Sequence, residues 1–411
     1  MRVPSRLRTT GLICAIGAVI APGPVFGQTT IAPIVAGDDP EYEIDPIPIG
    51  PVRVSPRIIA NLNFDDNVLA SPEGTEIEDV EFIVRPELEA RYGDNNVRFE
   101  LAGFGEFSRF ADFTSENSDT YGVTGAFSYS PQGGSRFDVD AGYARLKENR
   151  SDPEARDLAG PGPRLIDSTF ANARYRNQGG RILLNLQATF NDLDAIAPFD
   201  DERDFKTYAG RATVGYRVSG PIYTTVTGFA NVRDFRLEGT PIDPDRDATT
   251  YGGQIGVTVI ASGRIRGRAR IGAFRFEPDD PRLEARTGFS VDTSIIYQPT
   301  RRSAVILEAF RGDVATFRRG AEARTDTSVA LVGQFEIRHN LFARANVRWI
   351  ENRFVGGGIT EDTFGSGLAL EFIANRRLSL IGQVSAAQRT SDDLTQEFDK
   401  FQAGVTARIR F

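Results

Sequence analysis

The last fourteen residues of the chain, 398–411, read FDKFQAGVTARIRF and alternate between two kinds of side chain from Phe401 onward. A period of two predicts a β-strand with one apolar and one water-facing side. The apolar side runs to the C-terminal aromatic residue, so it needs an apolar environment along its whole length. Its members are Phe401, Ala403, Val405, Ala407, Ile409 and Phe411, opposite Gln402, Gly404, Thr406, Arg408 and Arg410.

The same alternation repeats back to residue 52, and no second set of strands would cover the apolar sides as in a soluble sandwich. Most segments have the roughly 9 to 11 residues that a tilted strand needs to cross a bilayer. The sequence therefore predicts an all-β fold: an outer-membrane type, transmembrane, antiparallel up-and-down β-barrel of about 18 strands. The predicted strands start near Val54, Val80, Val97, Asp119, Ser135, Arg164, Arg181, Phe205, Ile222, Thr249, Arg264, Arg286, Ala304, Thr325, Leu341, Asp362, Leu378 and Phe398.

Connections between these segments alternate in length. After each even-numbered segment the chain turns within a few residues, as at Gly93–Asn96 and Ser219-Gly220. The residue types in these short connections favour hairpin turns. After each odd-numbered segment the connection is longer, as in Asp65–Glu78, Lys147–Pro163 and Glu351–Glu361. Short periplasmic turns and long external loops are typical of outer-membrane barrels. A soluble meander has no reason to alternate in this way.

Aromatic residues recur near the end of alternate strands, on the apolar side. Rings with an amphipathic character prefer the headgroup level of a membrane, so the recurrence predicts an aromatic girdle on the periplasmic side. The residues are Tyr92, Tyr129, Tyr175, Tyr216, Tyr297, Phe335, Phe372 and Phe411.

The N-terminus has the features of a secretory signal peptide, predicted to span residues 1–27. Three arginines precede an apolar core at 11–20, and a small-residue cleavage site ends at Gly27. The only cysteine, Cys14, lies in that core, so the predicted mature chain has no thiol.

Residues 28–51 form a predicted linker. Five prolines among acidic residues favour extended backbone there, in the periplasm or in the barrel mouth. The barrel is predicted to take residues 52–411. Removal of the signal peptide takes three of the 48 basic residues and leaves a net charge of 45 − 56 = −11. Such a balance predicts no binding to nucleic acid through general electrostatics.

The sequence offers little material for catalysis. Its only histidine, His339, lies beside Asn340 in a predicted turn. Without a cysteine in the mature chain, a catalytic triad, a Cys nucleophile or a zinc site has too few residues. No Gly-rich phosphate loop opens a helix, and no spacing of loop acids matches a calcium loop. We predict that the protein is not an enzyme and holds no cofactor and no metal.

Arginines dominate the water-facing side of several strands. They have two interpretations: ion pairs that brace the barrel wall, or a ladder that contacts an acidic or sugar-like cargo through the fixed fork of guanidinium donors. One row, Arg264 to Arg270, is predicted to lie on one face of a single strand. The lumen candidates for cargo contact are Arg264, Arg266, Arg268, Arg270, Arg344, Arg348, Arg408 and Arg410.

The first strand and its exit, residues 58–68, read IIANLNFDDNV. This stretch resembles the opening of a bacterial family called putative beta-barrel porin 2. In that family a strand near the mature N-terminus runs into an Asp-Asp-Asn turn, matched here by Asp65, Asp66 and Asn67. The layout of residues 50–411 is similar as well. Members are often found with exopolysaccharide or capsule assembly systems, so the resemblance implies polymer export and periplasmic polysaccharide-export proteins as partners.

Three functions follow from these observations. The first is an outer-membrane channel that exports an exopolysaccharide or capsular polymer, and the second is a general or solute-selective diffusion porin. The third is a structural or adhesive surface barrel, which the short loops disfavour. No inserted domain is available as a plug, and the loop with Gly160-Pro161-Gly162-Pro163 is the one candidate for inward folding. The predicted partners are outer-membrane lipid and the barrel-insertion machinery, for which Phe411 resembles the recognition signal.

Overall fold

The structure is a computed structural model that describes residues 44–131, 134–154, 162–178, 180–196, 203–240, 244–316 and 320–411, with Val35 and Arg318. Within these residues the chain is almost entirely strand, apart from two single 3-10 turns at Thr114–Glu116 and Leu394–Gln396. No helix in this part of the chain is long and apolar enough to span a membrane. The strands are β1 (Ile47–Ile49), β2 (Val52–Asp65), β3 (Asp79–Gly93), β4 (Val97–Phe110), β5 (Ser118–Tyr129), β6 (Ser135–Lys147), β7 (Leu165–Asn177), β8 (Ile182–Ala195), β9 (Phe205–Ser219), β10 (Ile222–Phe235), β11 (Ala248–Ser262), β12 (Ile265–Pro278), β13 (Arg286–Thr300), β14 (Ser303–Val314), β15 (Ala323–Arg338), β16 (Leu341–Val355), β17 (Ile359–Ile373), β18 (Leu378–Ser391) and β19 (Phe398–Arg410).

Strands β2 to β19 close into a barrel. Each pairs antiparallel with the next along the chain, and β19 returns to pair with β2, with Gln402 opposite Asp65 and Arg410 opposite Arg57. The short β1 adds three residue pairs to the start of β2. This confirms the predicted antiparallel up-and-down barrel of 18 strands, and each of the strands β2 to β19 begins within three residues of its predicted start. The short β1 lies in the predicted linker and was not predicted.

One predicted loop is wrong. The sequence predicts a long connection over Glu351–Glu361, but β16 and β17 extend through most of it and leave only residues 356–358 between them. Gly356 and Gly358 have positive φ angles of 89° and 67°, which glycine adopts without strain, so the chain turns tightly there. The side chains of Asn352 and Glu361 continue the alternation and lie buried inside the barrel.

Apolar side chains lie on the outside of the barrel and polar ones inside, the reverse of a soluble protein. In β10, Val226 is 64% exposed, whereas its neighbours Thr225 and Thr227 are 3% and 1% exposed. The Thr227 hydroxyl lies 2.9 Å from the Thr213 hydroxyl of β9, so polar groups satisfy one another across the inner face. The outer face is therefore suited to lipid. Seven of the eight predicted girdle residues are exposed, namely Tyr92, Tyr129, Tyr216, Tyr297, Phe335, Phe372 and Phe411, whereas Tyr175 is half-buried.

Val35, which belongs to the predicted linker, lies inside the barrel. Val35 is 5% exposed, and its backbone N–H donates to the Gln334 Oε1 at 3.2 Å, on the inner face of β15. At the other end of the chain, the Phe411 N–H donates to the Pro56 carbonyl at 3.2 Å. This hydrogen bond holds the last residue, Phe411, against β2, the first barrel strand. The role of Phe411 as an assembly signal stays a prediction.

The Asp-Asp-Asn turn fastens the seam between β2 and β19. The buried Asn67 side chain donates to the carbonyls of Ser71 and Asp399 and accepts the Ser71 N–H, all within 2.9 Å. Asp66 accepts the Phe401 N–H at 2.7 Å. The Lys400 ammonium lies 2.8 Å from Asp65 and donates to the Asn67 carbonyl at 2.9 Å. The motif therefore joins the first barrel strand to the last.

We expect Asn67→Ala to lower the thermal stability of the folded barrel. The substitution leaves three backbone groups of Ser71 and Asp399 without their partner, at about 1–3 kcal/mol for each buried group. The measurement is the temperature at which the compact band on unboiled gels converts to the unfolded one. The control is Asn95→Ala, in an exposed turn between β3 and β4. Equal conversion temperatures for both variants would contradict the seam role.

The two ends of the barrel differ in their connections. We call the end with 3 to 17 residues per connection the loop end, and the end with two to five residues per connection the turn end. The loop end is predicted to face the cell exterior. Single cysteines at Glu238 (loop end) and Arg301 (turn end), both exposed, test this prediction in intact cells. We expect an impermeant thiol reagent to label Glu238→Cys only, and labelling of Arg301→Cys alone would invert the topology.

Candidate functional site

One loop enters the barrel. The connection between β6 and β7, residues 148–164, is the longest of the loop end. Its described first part carries four polar residues with 3–7% of their surface exposed, and they face the barrel interior instead of the surrounding water. They are Glu148, Ser151, Asp152 and Glu154. The Pro-Gly segment predicted to fold inward lies largely outside the described residues.

The loop crosses to the opposite wall. Glu154 accepts a hydrogen bond from the Arg324 guanidinium of β15. In the ring of 18, β6 is the fifth strand and β15 the fourteenth, so they are 14 − 5 = 9 strands apart, half of the circumference. The Ser151 carbonyl accepts a second bond, at 2.5 Å, from Arg389 of β18. The loop therefore spans the lumen.

The two arginines that hold the loop are themselves fixed. Arg324 lies 2.8 Å from the Asp326 carboxylate. Arg389 donates to the Thr363 hydroxyl at 3.1 Å and lies 3.7 Å from Glu361. Because these side chains are buried, their charges are compensated by partners and by hydrogen bonds rather than by water.

Aromatic rings complete the contact. The guanidinium carbons of Arg318 and Arg324 lie 4.6 Å and 5.8 Å from the centre of the Phe354 ring. That of Arg389 lies 5.0 Å from the centre of the Phe398 ring. Cation–π contacts of this kind strengthen when desolvated. They also exclude water from the ion pairs, which makes the contact between loop and wall rigid.

The base of the loop is tied to its own side of the barrel. Arg150 lies 2.6 Å from the buried Glu116 carboxylate in the neighbouring 3-10 turn and donates to the Gly162 carbonyl. Glu148 accepts a hydrogen bond from Arg203, which precedes β9. The loop is thus held at its base and, through Ser151 and Glu154, at the opposite wall.

Asp152 is the loop carboxylate without a salt bridge among the described residues. Burial, followed by the nearby Glu148 charge, raises the pKa of Asp152 to about 7. Its Oδ1 accepts the Glu154 N–H at 3.1 Å, and its Oδ2 is buried with no hydrogen-bond partner among the residues that the structure describes. A cavity of about 300 Å³ lies beside it, between the loop and strands β8, β9, β10 and β14.

The predicted row of arginines in β12 divides in the structure. Arg264 lies in the turn before the strand, because Gly263 with a φ of 53° reverses the chain and Ser262 pairs with Ile265; placing it within the strand is wrong by one residue. Arg266 is exposed in the strand. Arg268 and Arg270 converge on the Asp292 carboxylate at 2.9 Å and 3.5 Å.

Asp292 receives a third arginine that sequence reasoning had not grouped with the row. Arg211 of β9 lies 3.0 Å from it. Arg268 and Arg270 therefore form ion pairs of the kind that the bracing interpretation predicts. A role in cargo contact stays a prediction.

The remaining predicted arginines lie nearer the turn end of β16 and β19. Arg408 lies 2.8 Å from Glu371 of β17, and Arg410 donates to the Ser379 hydroxyl at 3.5 Å. The negative charge of Glu371 also acts on Arg344. Arg348 has no carboxylate within 4 Å among the described residues, although Glu308 and Asp326 act on it at longer range. These side chains form a basic strip rather than one binding site.

Sequence reasoning missed the residues that narrow the lumen. Glu148, Asp152 and Glu154 read as ordinary acids of a solvated loop, Arg324 as the last residue of a predicted connection, and Arg389 as a residue near the end of a predicted strand. The available signal was the length of this loop, the longest of the chain. Within the described residues, no group of three His, Cys, Asp or Glu side chains has the arrangement of a metal site.

A closed 18-strand barrel with an apolar belt, a polar interior and an inward loop defines an outer-membrane barrel channel of the porin type. Residues 39–411 match the family described as putative beta-barrel porin 2, and the chain belongs to that family. The family places it in the bacterial outer membrane. No curated protein matches the chain.

Solved structures similar to this chain are outer-membrane barrels. The outer-membrane protein OpdK of Pseudomonas aeruginosa with vanillate has a TM-score of 0.50 and 12% identity, over 87% of this chain and 99% of that one. The siderophore receptor PirA of the same organism has a TM-score of 0.43 and 10% identity, over 87% and 80%. The OmpT protein of Vibrio cholerae has a TM-score of 0.37 and 12% identity, over 89% and 100%. At these identities the likeness concerns the fold.

We expect Arg324→Met to widen the channel. Removing one partner of a buried ion pair costs about 3–5 kcal/mol because the other charge is left uncompensated. The loop should then leave the wall and the single-channel conductance in planar bilayers should rise. The control is Arg353→Met, an exposed arginine of β16 that makes no salt bridge within the described residues. A folded Arg324→Met channel with unchanged conductance would show that the loop does not limit the pore.

Proposed function

We propose that the chain is a selective diffusion channel for small hydrophilic solutes, with the inward loop as the narrowest point of the path. The observation that carries the proposal is the buried pair between Glu154 and Arg324, which joins the loop to the opposite wall. A small solute passes beside such a loop, through water that contacts the polar inner faces of the strands. The proposal includes no catalytic step, in keeping with the porin family to which the chain belongs.

Polymer export is the second candidate. It is supported by the basic side chains on the inner wall, of which Arg266 and Arg348 have no carboxylate within 4 Å among the described residues. A long polymer needs many weak contacts and a wide, hydrated path. The loop contact across the lumen opposes this, so export requires Glu154 and Arg324 to separate. Periplasmic export proteins are the partners that this candidate needs.

A strain lacking the gene separates the two functions. We expect slower uptake of small solutes and normal amounts of secreted and capsular polysaccharide. Re-expression of the native chain should restore uptake, and re-expression of Arg324→Met should raise it above the native level for larger solutes, because the narrow point is removed. Loss of surface polymer with normal solute uptake would refute the diffusion channel and favour export.

Liposome swelling with the purified protein tests for a constriction at the loop in the absence of other cell components. We expect rates that fall steeply with the size of neutral sugars for the native chain and less steeply for Arg324→Met, with Arg353→Met behaving as the native chain. Identical size dependence in all three proteins would contradict a constriction at the loop.

A further inference from the structure

The cavity beside the inward loop has two unlike walls. On the barrel side it is lined by the apolar side chains of Leu193, Phe205, Phe310 and Val314. On the loop side it meets Asp152 and its neighbouring acids. Its volume of about 300 Å³ is at the lower end of the range for small-molecule sites, far more than one inorganic ion fills. The cavity therefore has room for a small organic molecule with one polar end.

The arginines that face this cavity already have carboxylate partners. Arg203 donates to Glu148 and Arg324 to Glu154. Arg233 of β10 lies 2.6 Å from Asp313, whose side chain is fully buried. An anionic solute would have to displace one of these carboxylates, so the charged side of the cavity does not favour an anion.

Asp152 differs from Glu148, Glu154 and Asp313 in having no salt bridge in the described part of the chain. It is 3% exposed, lines the cavity and keeps one buried oxygen, Oδ2, without a hydrogen-bond donor within the described part of the chain. A buried acceptor without a partner costs free energy until a donor reaches it. The charged groups that act on it are Glu148 and Glu154 of its own loop, Arg324 of β15 and Arg389 of β18.

We propose that this cavity binds a small organic cation, whose ammonium group lies against the Asp152 carboxylate while its apolar body packs on Phe205, Phe310 and Leu193. Asp152 lines the cavity and has no salt bridge in the described part of the chain, so the ammonium supplies the counter-ion that this carboxylate lacks. Aromatic rings at the other end favour an apolar or aromatic body, and their faces also attract cations. Transport of such a solute rests on the proposed function, whereas binding does not.

Calorimetry on the folded, detergent-solubilised protein tests the site with 2-phenylethylammonium as the probe. We expect measurable binding, weakened by about tenfold or more in Asp152→Asn, because hydrogen bonds to charged groups are the strong ones. Asp279→Asn, an exposed loop acid outside the cavity, should bind as the native chain does. The uncharged 2-phenylethanol and the anionic 3-phenylpropionate should each bind at least about tenfold more weakly than 2-phenylethylammonium.

Acidification gives a second readout on the native chain alone. Because the pKa of the free Asp152 is about 7, protons compete with the ammonium as the pH falls below that value. Binding should then weaken by up to about tenfold for each further pH unit, and Asp152→Asn should show no such dependence. If Asp152→Asn fails to fold, the pH dependence of probe binding to the native chain still tests the proposal.

Equal affinity for all three probes, or unchanged binding in Asp152→Asn, would overturn the proposal. The outcome is separable from the proposed function through bilayer recordings of the same proteins. Probe binding in a barrel that conducts no solute would leave the site standing and refute the diffusion channel. Solute conduction without probe binding would do the opposite.

Discussion

Hydrocarbon offers no hydrogen bonds, and this constraint shapes the whole chain. A backbone group without a partner in the bilayer core costs several kcal/mol, so a membrane-spanning sheet has to close on itself. Here closure depends on the pairing of β2 with β19, two strands separated by nearly the whole barrel sequence. The Asp-Asp-Asn turn lies at that seam and adds side-chain bonds across it. The motif thus has a mechanical role, namely the joining of the first barrel strand to the last.

The interior follows from the same closure. Strand alternation that places valine and phenylalanine in lipid must place threonine, arginine and glutamate inside. These polar residues pair with one another where they lie close, as Arg211, Arg268 and Arg270 do around Asp292. Where a loop reaches them, they pair with the loop. The inward loop is therefore held by the kind of ion pair that the barrel wall itself contains.

The sequence was sufficient to predict the barrel but not the contact between the inward loop and the opposite wall, which narrows the lumen. The strands were predictable because a period of two is a local property, visible in stretches as short as Phe401–Phe411. The tight β16–β17 turn was missed because Glu351 and Glu361 resemble loop acids until their buried partners are known. The loop contact was missed for a different reason: Glu154 and Arg324 are 170 residues apart, and only the ring of 18 strands makes them opposite each other.

That separation along the chain also fixes an order of events. Arg324 and Arg389 lie in strands that follow the loop by more than 150 residues, so the loop has no partner on the far wall until β15 and β18 have joined the sheet. A growing or partly inserted barrel must therefore carry four buried-type polar residues in water, with its bore unobstructed. Occupation of the bore by the loop therefore depends on strands from the second half of the chain. In the finished barrel the narrowing of the bore is thus a product of closure, because the far-wall partners of the loop belong to strands of the second half of the chain.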